Sequence, residues 1–352
     1  MRVACVNQDP GIHPGKKKGA AVHVNAMRSA FERLGSEVLG IDEASDDALR
    51  ARLLAEHRQA PLGLLYERYA LGKSAAARFA EEHGLPRILE VNAPLALEAQ
   101  THRGRAISDE DLFEDRLAFD SATRIFAVSR AVADYAVERG ADAARVEVVP
   151  NGIDTELFHP RPKDAAKRQL EIDPARFVVG FHGRLRPWHG FERVVEILAQ
   201  LLQAGAEVHL VTAGEGPYAE LAAALPEERR THLAWVEHAH MGEVVAAFDA
   251  VVLPYDPAQP CYFSPLKLAE AMACGAVPVV AGLGDLPHAV RHGEDGFVLP
   301  AGDLTGFAAA LEELVRDPSL HSRLGRAAAE RVRGQTWTSI AKRALECVVG
   351  AF

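Results

Sequence analysis

From Tyr262 to Ala281 the chain reads Tyr-Phe-Ser-Pro-Leu-Lys-Leu-Ala-Glu-Ala-Met-Ala-Cys-Gly-Ala-Val-Pro-Val-Val-Ala, the pattern of a loop, a helix, a turn and a buried strand. Ser264 carries a helix-capping side chain, and Pro265 suits a first helical turn, where no amide donor is lost. Leu266, Leu268, Ala271 and Met272 give the helix an apolar face. Gly275, after Cys274, supplies the left-handed residue on which many helices stop. Exposed amides at a helix start attract anions. Lys267 adds a positive charge there, and Glu270 follows one turn later. A ligand with both phosphate and hydroxyl groups fits this arrangement. An amphipathic helix in an ordinary α/β domain is the competing reading.

The rest of the chain repeats the strand–helix alternation. Arg2–Val6 is a short strand, Asn7–Lys18 a polar loop, Gly19–Leu34 a helix and Glu37–Leu39 the next strand, which together imply a parallel sheet. No Gly-x-Gly-x-x-Gly follows the first strand, so the dinucleotide fingerprint is missing. Lys16, Lys17 and Lys18 read either as a solvated loop or as a basic lip for an anionic acceptor or membrane phosphates. Strands over Leu62–Tyr66 and Ile88–Asn92 place Glu67, Arg68, Glu90 and Asn92 at their carboxyl ends, where ligands of open α/β sheets gather. A structural role competes with an acceptor role for these four. The acidic run Asp109–Asp115 reads as a solvated face. A proline-stiffened linker, Phe158–Asp164, leads to a second such unit. There the strand Phe177–Phe181 opens into His182-Gly-Arg-Leu-Arg-Pro-Trp-His-Gly190 and a helix from Phe191. Arginine is a natural phosphate clamp through its planar fork of donors, which singles out Arg184. Leu233–Val236 reads as a short buried strand. His238 and His240 read as loop residues, since no third ligand lies near. Asp303–Arg333 is helical, and a last helix runs from Ser339 to Val349.

The Tyr262–Pro278 segment resembles the donor-binding motif of the retaining glycosyltransferases of family 4, and Val149-Pro-Asn-Gly-Ile-Asp154 and the His182–Gly190 loop are similar to segments of the same family. The resemblance implies an α/β chain of the GT-B class, two Rossmann-like domains facing a cleft. Residues 1–155 would form the acceptor domain, with 337–352 packing back on it, and residues 156–336 the nucleotide-sugar donor domain. It implies transfer of a sugar from a nucleotide-diphosphate sugar to a saccharide, lipid-linked or small-molecule acceptor with retained anomeric configuration, in bacterial glycan or glycoconjugate biosynthesis such as polysaccharide assembly. The family pattern of Glu, seven residues, Glu is matched at Glu270, which would hold the ribose hydroxyls. Tyr262 stands where the first Glu belongs. Arg184 matches the family's diphosphate-binding Arg, and His189 occupies the place of its Lys, where it could hydrogen-bond phosphate with a pH-dependent charge. Ser264, Pro265, Leu266 and Lys267 complete the implied donor site. Gly19 matches the family's glycine-rich loop, with Ala20 in place of its second Gly. No catalytic nucleophile is assigned, and neither a metal nor another cofactor is expected, since protein cations and amides take the metal's place. The replaced Glu and Lys motivate one alternative: a catalytically silent GT-B protein that binds nucleotide or carbohydrate as partner of an active transferase. No side chain distinguishes uridine from guanosine.

The totals bound these readings. At 352 residues two domains are expected, and a net charge of −10 argues against a nucleic-acid partner. Cys5, Cys261, Cys274 and Cys347 form no Cys-x-x-Cys pair, which suits reduced thiols in a cytoplasm. No run approaches the ~20 apolar residues of a membrane helix, and the N-terminal run is too short for a signal peptide. A cytoplasmic protein is expected, with any membrane contact peripheral and at the inner face.

Overall fold

The computed structural model describes residues 1–12 and 19–349, so Lys16, Lys17 and Lys18 lie outside the described residues. The chain divides into two compact units. The first comprises residues 1–152, 262–264 and 335 onward; the second comprises 153–261 and 265–334.

The first unit is built on six strands: β1 (Arg2–Asn7), β2 (Glu37–Asp42), β3 (Leu64–Arg68), β4 (Arg87–Val91), β5 (Arg124–Ala127) and β6 (Val146–Val148). All pair in parallel, in the order β2-β1-β3-β4-β5-β6. β4 is buried at every position, and β1 and β3 at all but one. That is the pattern of parallel strands covered by helices on both faces. The helix Gly19–Arg33 carries the chain from β1 to β2, and the last helix, Trp337–Val349, packs against it. The rings of His23 and Trp337 meet there, with centroids 4.5 Å apart.

The second unit repeats the design with β7 (Phe177–His182), β8 (Val208–Ala213), β9 (Arg230–Leu233), β10 (Ala250–Leu253), β11 (Val277–Ala281) and β12 (Phe297–Leu299). The order is β12-β11-β10-β7-β8-β9, again parallel. The chain winds outward from β7 to β9 and then returns to the other side of β7, so the strand order reverses between β7 and β10. In doubly wound sheets the loops at such a reversal splay apart and leave a crevice beyond the carboxyl ends of the two strands. Gly180 within β7 is required by packing, because a Cβ there would meet the Phe248 ring at 2.0 Å.

Several sequence expectations shift. β3 ends at Arg68 rather than Tyr66, so Glu67 is a strand residue and not a loop residue. The acidic run belongs to the helix Asp109–Asp120, and Asp115 in it is fully buried, accepting bonds from Tyr69 Oη at 2.8 Å and the Gly72 amide at 2.9 Å. β9 lies earlier than Leu233–Val236, and Trp235 beyond it is 50 % exposed. His238 and His240 open a helix, His238–Val245. The long helix after Asp303 is two helices, Leu304–Arg316 and Pro318–Val332, the second started by Pro318 and capped by Asp317, whose carboxylate accepts from the Ser319 and Leu320 amides at 2.9 Å. Residues 262–264, read as part of the second domain, belong to the first unit. The Tyr262 ring joins the core cluster around Phe119 and Tyr135, its hydroxyl donates to Glu98 at 2.8 Å, and its carbonyl accepts from Ser129 Oγ.

Candidate active site

The second unit carries a cluster of charged and polar groups at the reversal between β7 and β10. His182 is the last residue of β7 and only 3 % exposed. Its Nε2 lies 2.7 Å from Glu270 Oε2, and its Nδ1 has no partner among the described residues. The chain then turns at Gly183, whose φ of +94° lies in the left-handed region, and whose carbonyl accepts from Tyr218 Oη at 2.7 Å. Arg184 follows on the exposed loop, 3.9 Å from Glu215.

Pro187–His189 forms one tight turn, closed by Gly190 at φ +61°. A Cβ at Gly190 would lie 2.7 Å from the Pro254 carbonyl oxygen, so the turn sits close against the end of β10. The Arg186 amide donates to His189 Nδ1 at 3.1 Å, and the Tyr255 ring stacks on the imidazole at 5.8 Å. Lys267 reaches the same imidazole from the next helix. Its Nζ stands 3.2 Å from His189 Nδ1 and 3.4 Å from Nε2, and 4.1 Å above the Phe181 ring. Among the described residues no carboxylate pairs with this ammonium.

These contacts set the charge. Burial, then the nearby Lys267 and Arg186 cations, push the His189 pKa down to about 3, so its imidazole is neutral at physiological pH. The expected pH-dependent charge at this position therefore resides on Lys267. Burial pushes the Lys267 amine down to about 7, partly offset by Glu270.

The helix Leu266–Ala273 delivers Lys267 and Glu270 to this place. Its start differs from the expectation. Pro265 is the cap residue, and no side chain accepts from the first-turn amides. Ser264 instead faces the first unit, its Oγ accepting from the Asn151 amide at 3.4 Å and its carbonyl from Asn151 Nδ2 at 3.3 Å. The physical reason is Asn151, whose backbone and side chain both claim Ser264. Leu266 is partly buried at the helix start. The helix ends as read: Gly275 takes φ +78°, and the Gly275 and Ala276 amides return to the carbonyls of Met272 and Ala271.

Residues read as facing an acceptor lie in the first unit and divide into two kinds. Glu67 is 2 % exposed and pairs with the fully buried Arg87, an internal ion pair. Glu90, at the end of β4, is a hub. It meets His23 Nε2 at 2.7 Å, accepts from Tyr66 Oη at 2.7 Å and Asn92 Nδ2 at 3.0 Å, and lies 3.6 Å from Arg68. Gly19 and Ala20 begin the helix that carries His23. A cavity of about 130 Å³ beside this hub's sheet is lined by Asn7, Asp9, Pro10, Ile12, Asp42 and Ala44, at the ends of β1 and β2. A larger cavity of about 390 Å³ in the second unit, lined among others by Phe158, His159, Arg326 and Arg333, shares no residue with the Lys267 cluster. Among the described residues no group of three His, Cys, Asp or Glu side chains is placed to hold a metal ion.

Sequence reasoning gave no role to His182, Phe181, Tyr255, His23 or Tyr66. A polar residue closing an apolar strand, as His182 does, is the signal that was available for the first.

The residues 176–317 match the family model described as glycosyl transferases group 1, and residues 67–157 match that of glycosyltransferase family 4. A D-inositol 3-phosphate glycosyltransferase of Stackebrandtia nassauensis is 30 % identical over 311 residues, covering 82 % of this chain and 69 % of the relative. The chain belongs to the family 4 glycosyltransferases. A second relative of the same name, from Pseudarthrobacter chlorophenolicus, is 30 % identical over 240 residues, 64 % of this glycosyltransferase but 56 % of the relative, so the chain spans little more than half of that relative's length. Among solved structures, Anabaena Alr3699/HepE in complex with UDP and glucose superposes with a TM-score of 0.72 over all of both chains at 21 % identity. That likeness is one of fold, and with the two six-stranded parallel sheets it makes this glycosyltransferase a two-domain α/β protein of the GT-B class. Among the described residues no helix is long and apolar enough to cross a membrane.

Proposed function

We propose that this glycosyltransferase transfers a sugar from a nucleotide-diphosphate donor with retention of configuration, and that its donor site is the cluster at the β7–β10 reversal. The observation that carries the reading is Lys267: an ammonium held against a neutral imidazole and, among the described residues, with no carboxylate within ion-pair distance. A cation kept in that state is unfavourable by itself and suits a site completed by an anion. Arg184, exposed at the end of β7, adds a second phosphate donor. The uncapped amides of the Leu266–Ala273 helix add backbone donors. Glu270, held by His182, is left to accept ribose hydroxyls through its remaining carboxylate oxygen.

Catalysis in this reading is stabilisation and positioning of a departing diphosphate, achieved by preset cations and amides and without a protein-held metal. Solved relatives of the fold carry UDP and UDP-glucose, which makes uridine diphosphate sugars the first donors to try. The hub around Glu90, with Arg68 and Asn92, is the place to seek acceptor contacts in the first unit. The bacterial relatives named for inositol phosphate support a small phosphorylated polyol among the acceptors to be assayed.

The test is a thermal-shift screen against UDP, GDP, ADP and TDP and their sugar conjugates, followed by product analysis with the stabilising donor. One diphosphate is expected to raise the melting temperature by mass action. Absence of any shift on folded protein would refute the donor site, and a product of inverted configuration would refute retention.

A further inference from the structure

We propose, resting on the reading of this cluster as a diphosphate site, that Lys267 is its variable charge: a nucleoside diphosphate entering beside His189 and Arg184 draws one proton from solvent onto the Lys267 amine. The geometry asks for this. A lysine on a protein surface keeps its proton because water or a carboxylate surrounds the ammonium. Lys267 has neither. Its Nζ lies against an imidazole at 3.2 Å and an aromatic ring at 4.1 Å. The imidazole cannot share a negative charge, and one of its nitrogens, Nδ1, already accepts from the Arg186 amide.

Among the described residues, the charged and titratable groups near the amine come from several elements. From its own helix comes Glu270, whose Oε2 is engaged by His182 at the end of β7. From the turn come His189, neutral at physiological pH, and Arg186, a like charge. Tyr255 stacks on His189, and Tyr218 donates to Gly183; both phenols are raised by burial and stay protonated. Arg184 and Glu215 stand further out on the exposed loop. Burial, partly offset by Glu270, brings the amine down to about 7. A diphosphate beside it reverses the balance, since an anion within hydrogen-bond reach favours the charged form. At pH 8 the amine is then largely neutral before binding and charged after it. The proton passes from buffer to Nζ, and no bond in the nucleotide changes.

Titration calorimetry of the full chain with UDP, in buffers of different ionisation enthalpy, reads this directly. At pH 8 the apparent enthalpy should depend on the buffer with a slope near one proton taken up per UDP, falling toward zero at pH 6. Affinity should weaken roughly tenfold per pH unit between pH 7.5 and 9. In Lys267→Arg, whose guanidinium keeps its charge, UDP should still bind with no proton uptake and no such pH dependence. Lys267→Met, checked for folding by its melting curve, should bind more weakly than the parent at pH 7 and converge on it at pH 9. Binding of UDP to the parent at pH 8 without proton uptake overturns this proposal and leaves the donor site standing, as does an undiminished uptake in Lys267→Arg. Failure of UDP, GDP, ADP and TDP all to bind overturns both.

Discussion

Replacing Glu90 by Gln separates a scaffold residue from an acceptor-binding one at the end of β4. Glu90 is 5 % exposed. Burial alone raises its carboxyl pKa, but the charge and hydrogen bond of His23, the charge of Arg68 and the Tyr66 hydroxyl outweigh burial and bring it down to about 2 from an ordinary 4.5. At about 1.4 kcal/mol per pH unit, a drop of that size makes the ionised carboxyl worth about 3 kcal/mol to the folded state. A carboxyl depressed on folding contributes its stability above the unfolded value and loses it as pH falls through the folded one. The Gln variant should therefore be less stable by about 3 kcal/mol at pH 7, or roughly 6–12 °C in melting temperature for a domain of this size. The gap should close as pH falls from about 4.5 toward about 2. Urea unfolding followed by tryptophan fluorescence suits the measurement, because Trp337 stands against His23 in the same cluster. UDP affinity should not change, since the donor cluster contains no residue of the first unit. A Gln variant as stable as the parent at neutral pH, or a stability gap indifferent to pH, would refute the assignment of Glu90 as an ionised hub.

The remaining predictions concern the second unit and its neighbours. Arg184→Ala and Glu270→Ala should each weaken UDP binding by about one to two decades, the cost of a lost charged hydrogen bond of roughly 1.5–3 kcal/mol; because Arg184 is exposed, its variant should melt as the parent does, and wild-type affinity in both would refute the site. Lys267→Met should raise the melting temperature of ligand-free protein near pH 7: the unfolded chain binds that lysine's proton more tightly, so the parent loses stability as pH falls from about 10.5 to about 7. Unchanged thermal stability there would refute the unpaired cation. Tyr262→Glu, which restores the family residue, should lower the melting temperature rather than raise activity, because the new carboxylate would face Glu98 from within a buried cluster; a stable, more active variant would refute that reading. Gly190→Ala should lower both melting temperature and donor affinity, since the position has φ +61° and no room before the Pro254 carbonyl. Transfer in EDTA should equal transfer without it, and dependence on added divalent ion would refute catalysis by protein cations alone.

Much of this architecture was legible because parallel strands covered on both faces are uninterrupted apolar runs. Phe177–Phe181 and Val277–Ala281 could hardly be anything else. The helix stop at Cys274-Gly275 was equally plain, for only the glycine takes that backbone cheaply. The helix start was not. Ser264 has the right side chain at the right distance, but Asn151, more than a hundred residues away, holds it, and no local rule anticipates such competition. Asp115 was misjudged for a related reason, and the choice between a structural and an acceptor role for Glu67 stayed open for the same one. The surroundings of a carboxylate are not written in its own segment: the chain brings Tyr69 and Gly72 to Asp115 and Arg87 to Glu67. In the proposed site, Arg184, Glu270 and Lys267 were singled out from residue type and motif. The relation that gives Lys267 its character, contact with His189 seventy-eight residues earlier, exists only in the fold.

Residues 262–264 and 335 onward belong with residues 1–152. Neither unit is therefore a continuous stretch of chain. During synthesis, which proceeds from the amino end, the second unit can be completed while the first still lacks the helix that covers His23. The first unit to begin is the last to finish. All six of its strands are made early, but one flank of the Gly19–Arg33 helix stays bare until residues 337–349 have been synthesised, and domains of such chains generally fold as units. A fragment cut after Gly152 would lack that helix altogether, so dissecting this enzyme into halves requires grafting its tail onto its head rather than a single cut.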